Sequence, residues 1–419
     1  MIVMKFGGTS VAGERQLRHV SALVRAEAMR KPVLVVVSAF RGVTDALLEC
    51  ARTAAEGRQW EPQWQQIADI HRSVAHRLNL TAETTVEALL EDLRCYLTGI
   101  ALVGECTGQM LDHTAAFGEL LCSRVLAAFL VHTGERAAWL DARNAIKTDP
   151  QFTAANLNWS LTKDAVERNV VPLLKHHRVV VTQGFIASTP TGQTTTLGRG
   201  GSDYSAAIFG ACLGTERVEI WTDVSGIFSA DPRIVTDAVS LPEITLGEVA
   251  ALSAYGAKVL HPLTIGPAIE HGIPVLVRNT FEPEHPGTTI TATLQHMTEG
   301  IRAITMRNAV IQRGEVLELH ACDVLAIART RGEPPTIVVD EPCLGGRAAS
   351  LFCCVGAGIH HRGTGLRQLA AAARSVGCSV RVIASASESI VAAVEPSYSS
   401  VFLQALHETM YQSQEAAIS

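Results

Sequence analysis

The chain has 419 residues, of which 47% are hydrophobic, 18% charged and 5% aromatic, and its 35 Lys and Arg stand against 41 Asp and Glu for a formal net charge of −6. This excludes a disordered or fibrous chain, and at roughly 150 residues per domain the length suggests two or three domains, each able to bury a core. A slightly acidic balance with no long basic run argues against nucleic acid or an anionic membrane as partner and leaves small-molecule chemistry as the leading class.

Residues 2–6 read as a short buried strand, followed by Gly7-Gly8-Thr9-Ser10 and a helix whose Leu17, Val20, Val24 and Ala28 share one face. The continuous Val/Leu run at 33–38 is that of a parallel strand covered on both faces, so the opening is a βαβ unit. Residues 47–130 are mostly helical in pattern. Apolar runs at 137–140, 179–183, 218–221 and 274–278 then alternate with helices at 202–213 and 245–254, which predicts a three-layer α/β domain ending near residue 290. The tail from residue 301 has its own punctuation: strand 351–355, helix 366–375, strands 379–383 and 390–394, and helix 401–410, in the order βαββα. Such a unit needs a partner for its sheet, within the chain or across a dimer, and the strands expected at 303–306, 316–320 and 336–339 offer one. The first residues form too short an apolar run for a signal peptide, and no stretch approaches 18 apolar residues. Ten scattered cysteines without a C-x-x-C pair fit a reducing compartment, so a cytoplasmic location is expected.

Four segments carry chemistry. In Lys5-Phe6-Gly7-Gly8-Thr9-Ser10 a lysine ends a strand and two glycines open a helix; free backbone N–H groups, the positive helix end and the ammonium make an anion site suited to phosphate, though the same residues also form an ordinary tight turn. The P-loop spacing is absent from the chain. Leu197-Gly198-Arg199-Gly200-Gly201-Ser202-Asp203 leads into a helix: Arg199 presents a planar fork for a carboxylate, and Ser202 or Asp203 is a candidate N-cap. Trp221-Thr222-Asp223 with Asp231-Pro232-Arg233 is a strand end and a turn-rich loop, and Tyr255 to Pro262 places Lys258 between two helices. No metal site is predicted, because the His176-His177 and His360-His361 pairs lack a third ligand at suitable spacing.

Together these segments resemble the amino acid kinase superfamily, and within it the aspartate kinases. Lys5 to Ser10 is similar to the KFGGTS signature, Ser38-Ala39 with Thr44-Asp45 to the SA…TD stretch, and Asp112 to Glu119 with Cys122-Ser123 to the Gly-Glu…Ser element. The resemblance continues through Asp141-Ala142-Arg143, Thr182-Gln183-Gly184-Phe185, Thr196 to Asp203, Thr222-Asp223-Val224, Tyr255 to Pro262 and Asn279 with Gly287-Thr288, across the first 290 residues. It implies a three-layer amino acid kinase fold over 1–290 and phosphorylation of the side-chain carboxylate of L-aspartate by Mg-ATP. Lys5, Asp203 and Lys258 are the implied catalytic residues; Thr44, Glu119, Arg199 and Ser202 the substrate set, with Glu119 for the ammonium and Arg199 for a carboxylate. Lys5, Gly7, Gly8, Ser10, Thr222, Asp223, Phe228, Arg233 and Lys258 are the implied nucleotide set. A carboxylate nucleophile of pKa about 3.9 is already ionised at neutral pH, so no general base is required. Mg2+ is expected to be held by ATP oxygens and water.

The chain departs from that family in three places. Phe228 stands where a tyrosine is usual and Ser225 where an aspartate is usual. In the tail, 350–412 resembles an ACT domain, an α+β regulatory module, whereas 301–342 looks like an eroded first copy without its glycine-led helix. Weak or absent feedback inhibition by lysine and threonine is therefore expected, with a homodimer through the ACT-like region. A kinase for a related acid such as glutamate or a substituted aspartate, and a non-catalytic amino-acid sensor, are the alternatives.

Overall fold

The computed structural model describes residues 1–81, 86–257, 260–294, 298–313, 324–328, 336–340 and 347–415. The chain forms two compact units, Met1–Ser225 with Leu263–Pro286 and Gly226–Pro262 with Gly287–Ser419. The region 1–290, read as one catalytic domain, thus contributes its residues 226–262 and 287–290 to the second unit.

The first unit opens with β1 (Ile2–Phe6), α1 (Glu14–Ala28), β2 (Val33–Val37), α2 (Val43–Ala55), α3 (Glu61–Arg77), α4 (Glu87–Val103) and α5 (Gly108–His132). It continues with β3 (Ala137–Trp139), α6 (Trp159–Asn169), α7 (Val171–His176), β4 (Val179–Gln183), the hairpin β5 (Ile186–Ser188) and β6 (Thr194–Thr196), α8 (Gly201–Leu213) and β7 (Val218–Thr222). Within this unit parallel strands run in the order β3-β4-β2-β1-β7-β9, with β9 spanning Val275–Asn279. Every residue of β1, β2 and β4 is buried, as their unbroken apolar runs require of strands covered on both faces. Alternation sends Ile2, Met4 and Phe6 into a core shared with α1 to α5, and sends Lys5 to the opposite face. α5 runs for 25 residues, and its most apolar stretch is 83% buried inside the protein. Among the described residues it is the one helix long and apolar enough to cross a membrane by length and composition, and here it is a core helix.

The second unit holds β8 (Glu243–Thr245), α9 (Leu246–Ala254) and β10 (Thr288–Thr291), with β8 and β10 parallel. α10 (Pro262–Glu270) begins at its border and belongs almost wholly to the first unit. The tail forms β11 (Ala303–Arg313), β12 (Val324–Ala328), β13 (Thr336–Asp340), β14 (Arg347–Val355), α11 (Thr364–Val376), β15 (Arg381–Ala386), β16 (Ser389–Val394) and α12 (Ser399–Glu415). Its antiparallel sheet has the order β12-β13-β11-β14-β16-β15. The partner that the βαββα unit needs is therefore found within the chain: β11 pairs with β14 from Ala303 opposite Val355 to Ile311 opposite Arg347. The strand expected at 316–320 lies outside the described residues.

Candidate active site

The carboxyl ends of β1 and β2 and the first turn of α8 meet in one cleft of about 510 Å³, lined among others by Lys5, Gly8, Arg41, Thr44, Glu119, Arg199, Ser202 and Asp203. This is where an open parallel sheet binds ligands. Lys5 is nearly buried, and its Nζ lies 2.6 Å from Asp203 Oδ1, so the ammonium is fixed by an acid in the first turn of α8. Gly8 permits the turn to pass close to β2, since a Cβ there would sit 3.1 Å from the Ala39 carbonyl oxygen. Gly7 adjoins the lysine, its Cβ position being 3.5 Å from Lys5 Nζ.

The loop before α8 is held by buried polar contacts. Asp112 on α5 accepts from the Thr196 N–H at 3.0 Å, the Thr196 hydroxyl at 2.7 Å and the Thr153 N–H at 2.9 Å, while burial pushes its carboxyl above the ordinary range. Gly198 and Gly200 take the left-handed conformation, with φ of 71° and 74°, and Gly200 rather than Ser202 or Asp203 is the N-cap of α8. The expected side-chain cap is thus replaced by a glycine turn. Asp203 is freed to bind Lys5, and Arg199 is left exposed, paired with no carboxylate among the described residues. Gly184 follows β4 beneath Ser202; a Cβ there would lie 2.6 Å from that of Ser202.

Glu119 enters the cleft from α5. It is 3% exposed, its Oε2 has no hydrogen-bond partner, and burial pushes its carboxyl up to about 8, against the opposing effect of the Ala39 backbone N–H. A buried acid that lines a cleft and keeps one oxygen without a hydrogen-bond partner is suited to a cationic ligand group.

The other predicted residues are placed differently. Ser10 is fully buried and does not line the cleft: its Oγ is 2.6 Å from Thr280 Oγ1 and donates to the Trp221 carbonyl at 3.3 Å, and its N–H donates to the Gly7 carbonyl at 2.9 Å. It pins the glycine turn to β7 and β9. Thr222 and Asp223 close β7, where the Thr222 hydroxyl donates to Asp223 Oδ1 at 3.2 Å. Ser225, in place of the family's aspartate, is buried, accepts from Asn279 Nδ2 at 2.8 Å and donates to Glu282 Oε2 at 2.6 Å. Phe228 and Arg233 belong to the second unit, where Phe228 is half-buried and Arg233 is exposed beside Asp231 at 2.6 Å. Lys258 lies outside the described residues. Phe40, Arg41 and Gly42 line the cleft without having been singled out in the sequence, and Phe185 appeared there only within a family motif. The signal for Arg41 was a cation four residues beyond the paired end of β2. Phe185 adopts a φ of 67°, and its N–H donates to Ser205 Oγ at 3.0 Å, a strained position that no composition pattern marks.

No group of three or more His, Cys, Asp or Glu side chains is arranged for a metal among the described residues. The acids of the cleft are Asp203, committed to Lys5, Glu119, and Asp45. This donor set suits an ion that arrives with phosphate oxygens and water as its main ligands.

A profile of the amino acid kinase family matches residues 1–279. Over 331 residues the chain is 34% identical to lysine-sensitive aspartokinase 3 of Escherichia coli (strain K12), covering 78% of this chain and 70% of that relative. It is 36% identical over 296 residues to the chloroplastic aspartokinase 3 of Arabidopsis thaliana, covering 69% of this chain and 52% of that relative, so it spans about half the plant protein's length. Among solved structures, E. coli aspartokinase III with lysine and aspartate in its T-state superposes with a TM-score of 0.84 at 27% identity, covering 97% of this chain and 99% of that one. The same enzyme with aspartate and ADP in its R-state gives 0.77 at 27% identity, covering 98% and 100%.

Proposed function

Since the chain belongs to the amino acid kinase family, as one of its aspartokinases, we propose that the cleft transfers the γ-phosphoryl group of ATP to the side-chain carboxylate of L-aspartate, giving 4-phospho-L-aspartate. The observation that carries this reading is the presence in one cleft of a fixed ammonium, an exposed guanidinium and a buried acid with an unpartnered oxygen. They match the three charges of the acceptor complex: Lys5 for the migrating phosphoryl group, Arg199 for the substrate's α-carboxylate, and Glu119 for its ammonium.

The substrate carboxylate is the nucleophile and needs no base, so the work of this chain is positioning and neutralisation of charge. Lys5 donates to the equatorial phosphoryl oxygens, held on line by Asp203, and the N-terminus of α8 adds its positive end. Ser202 and Thr44 contact the bound amino acid. Mg2+ bound on the nucleotide supplies further neutralisation of the β- and γ-phosphates. Thr222, Asp223, Phe228, Arg233 and Lys258 are assigned to the nucleotide. Ser10 takes the role of a support for the turn in place of the phosphate contact.

Regulation is proposed to be weak. The described residues between 303 and 340 form only β11, β12 and β13, and no helix is found among them that would complete a first ACT-like copy. The ACT-like region is proposed to mediate a homodimer, an assignment removed by a monomer in sedimentation at micromolar concentration. The test of function is hydroxamate formation from ATP with a panel of dicarboxylic amino acids, repeated with added lysine and threonine. Aspartate is expected to be preferred, and sub-millimolar effector to leave the rate unchanged. Preference for glutamate or a substituted aspartate overturns the substrate assignment, no turnover at all favours a sensor, and inhibition by either effector overturns the regulatory one.

A further inference from the structure

Residues 226–240 carry Phe228 and Arg233, and within their unit they are built into the tail. Ala230 and Val235 are buried in the same core as Ile304, Phe352, Phe402, Leu406 and Met410. Between Phe228 and Ala230, Ser229 is fully buried and bonded on every side. Its N–H donates to the Val239 carbonyl at 2.8 Å, its carbonyl accepts from the Ile304 N–H at 2.8 Å, and its Oγ accepts from the Val239 N–H at 3.0 Å. The same Oγ lies 2.9 Å from Nε2 of His407, a buried residue on α12 that is 178 positions away in sequence. Burial pushes the His407 imidazole below its ordinary value, with the carboxylates of Asp237 and Glu408 acting in the opposite sense. The other side of the segment faces solvent, with Arg233 exposed and forked onto Asp231 through two nitrogens.

A buried serine–histidine bond can be no more than core satisfaction. Here, however, it joins the residue next to Phe228 to the last helix of the tail. Apolar packing by Ala230 and Val235 and the backbone bonds to Val239 and Ile304 fix the path of the segment; the bond from His407 adds a directional side-chain tie to α12. We propose that His407 is a positioning residue for the nucleotide: through Ser229 it holds residues 226–240 in the one conformation that presents Phe228 and Arg233. This rests on the assignment of those two residues to ATP.

The test uses the full chain with His407→Ala, His407→Gln and Ser229→Ala, varying ATP and aspartate separately in initial-rate assays. His407→Ala and Ser229→Ala are expected to raise the KM for ATP about tenfold, while the KM for aspartate and kcat stay within about twofold. His407→Gln retains a side-chain hydrogen-bonding group and should recover most of the loss. Ser229→Ala removes one oxygen and keeps the test open should His407→Ala fold poorly. Equal changes in both KM values, unchanged ATP KM in Ser229→Ala, or no rescue by glutamine overturns the proposal. Arg233→Ala separates the two layers. If it raises the ATP KM while Ser229→Ala does not, only the positioning role fails; if it leaves the ATP KM unaltered, the nucleotide assignment fails and the positioning role with it.

Discussion

Glu119 is an acid kept where burial favours its neutral form, and this sets a pH dependence for substrate binding. With its carboxyl pushed up to about 8, the unliganded protein holds a proton at neutral pH that an incoming ammonium group must displace. The KM for aspartate should therefore fall as pH rises from about 6.5 to about 8.5. Glu119→Gln should bind aspartate weakly and lose that slope, which steady-state kinetics across the range would show; a parallel slope in the variant would reassign it to another group. The same acid acts on stability with the opposite sign. Its folded value lies above its ordinary 4.5, so the unfolded chain releases the proton first, and stability declines as pH climbs from about 4.5 to about 8. At Lys5 the prediction concerns rate: Lys5→Ala removes a charge aimed at the phosphoryl oxygens and should reduce kcat by about 10²–10³-fold, the loss typical of one such donor. Arg199 and Lys5 were legible because each stands beside glycines at a predicted strand end or helix start. The inward turn of the Ser10 hydroxyl was not, because a glycine-turn pattern gives the backbone path without saying which side chains face the ligand.

Among elements, α8 and the strand end beneath it carry the tightest tolerance. A methyl group at Gly184 would meet Ser202 at 2.6 Å, so Gly184→Ala should push the first turn of α8 away from the cleft, at about 1–3 kcal/mol in stability with a raised KM for aspartate. Gly192 has a φ of 88° but open space around its Cβ position, and Gly192→Ala should cost about 1 kcal/mol in backbone strain alone and leave KM unchanged. Chemical denaturation with steady-state kinetics on both variants distinguishes a packing effect on the site from a general loss of stability. The parallel strands were read nearly to the residue, β1 and β4 with their observed bounds, because burial on both faces leaves an uninterrupted apolar run. β11 was cut short: Arg307 and Asn308 break the apolar pattern that predicts only 303–306, yet the strand pairs with β14 through Ile311, held by a ladder its own sequence does not announce. The cap of α8 was misassigned for a related reason, since two polar candidates beside three glycines look like side-chain caps until the left-handed Gly200 is seen.

For the whole molecule, aspartate and nucleotide together should raise the melting temperature by mass action, since ligands that bind the folded chain alone stabilise it by about 2.7 kcal/mol at a hundredfold excess over Kd. Calorimetry should find that shift in the unaltered protein and a smaller one in Lys5→Ala; equal shifts would place the anion elsewhere. The division into two compact units, with residues 226–262 joined to the tail, lay beyond the sequence because periodicity reports local structure and not which distant segments share a core. α5 has a further consequence. Its apolar stretch is almost wholly enclosed, so any opening of the first unit exposes a greasy surface several turns long to neighbouring chains. Such a species clumps faster than it closes, so heat inactivation should be irreversible and worsen with concentration, and shelf life should follow the rate of opening more closely than the melting point.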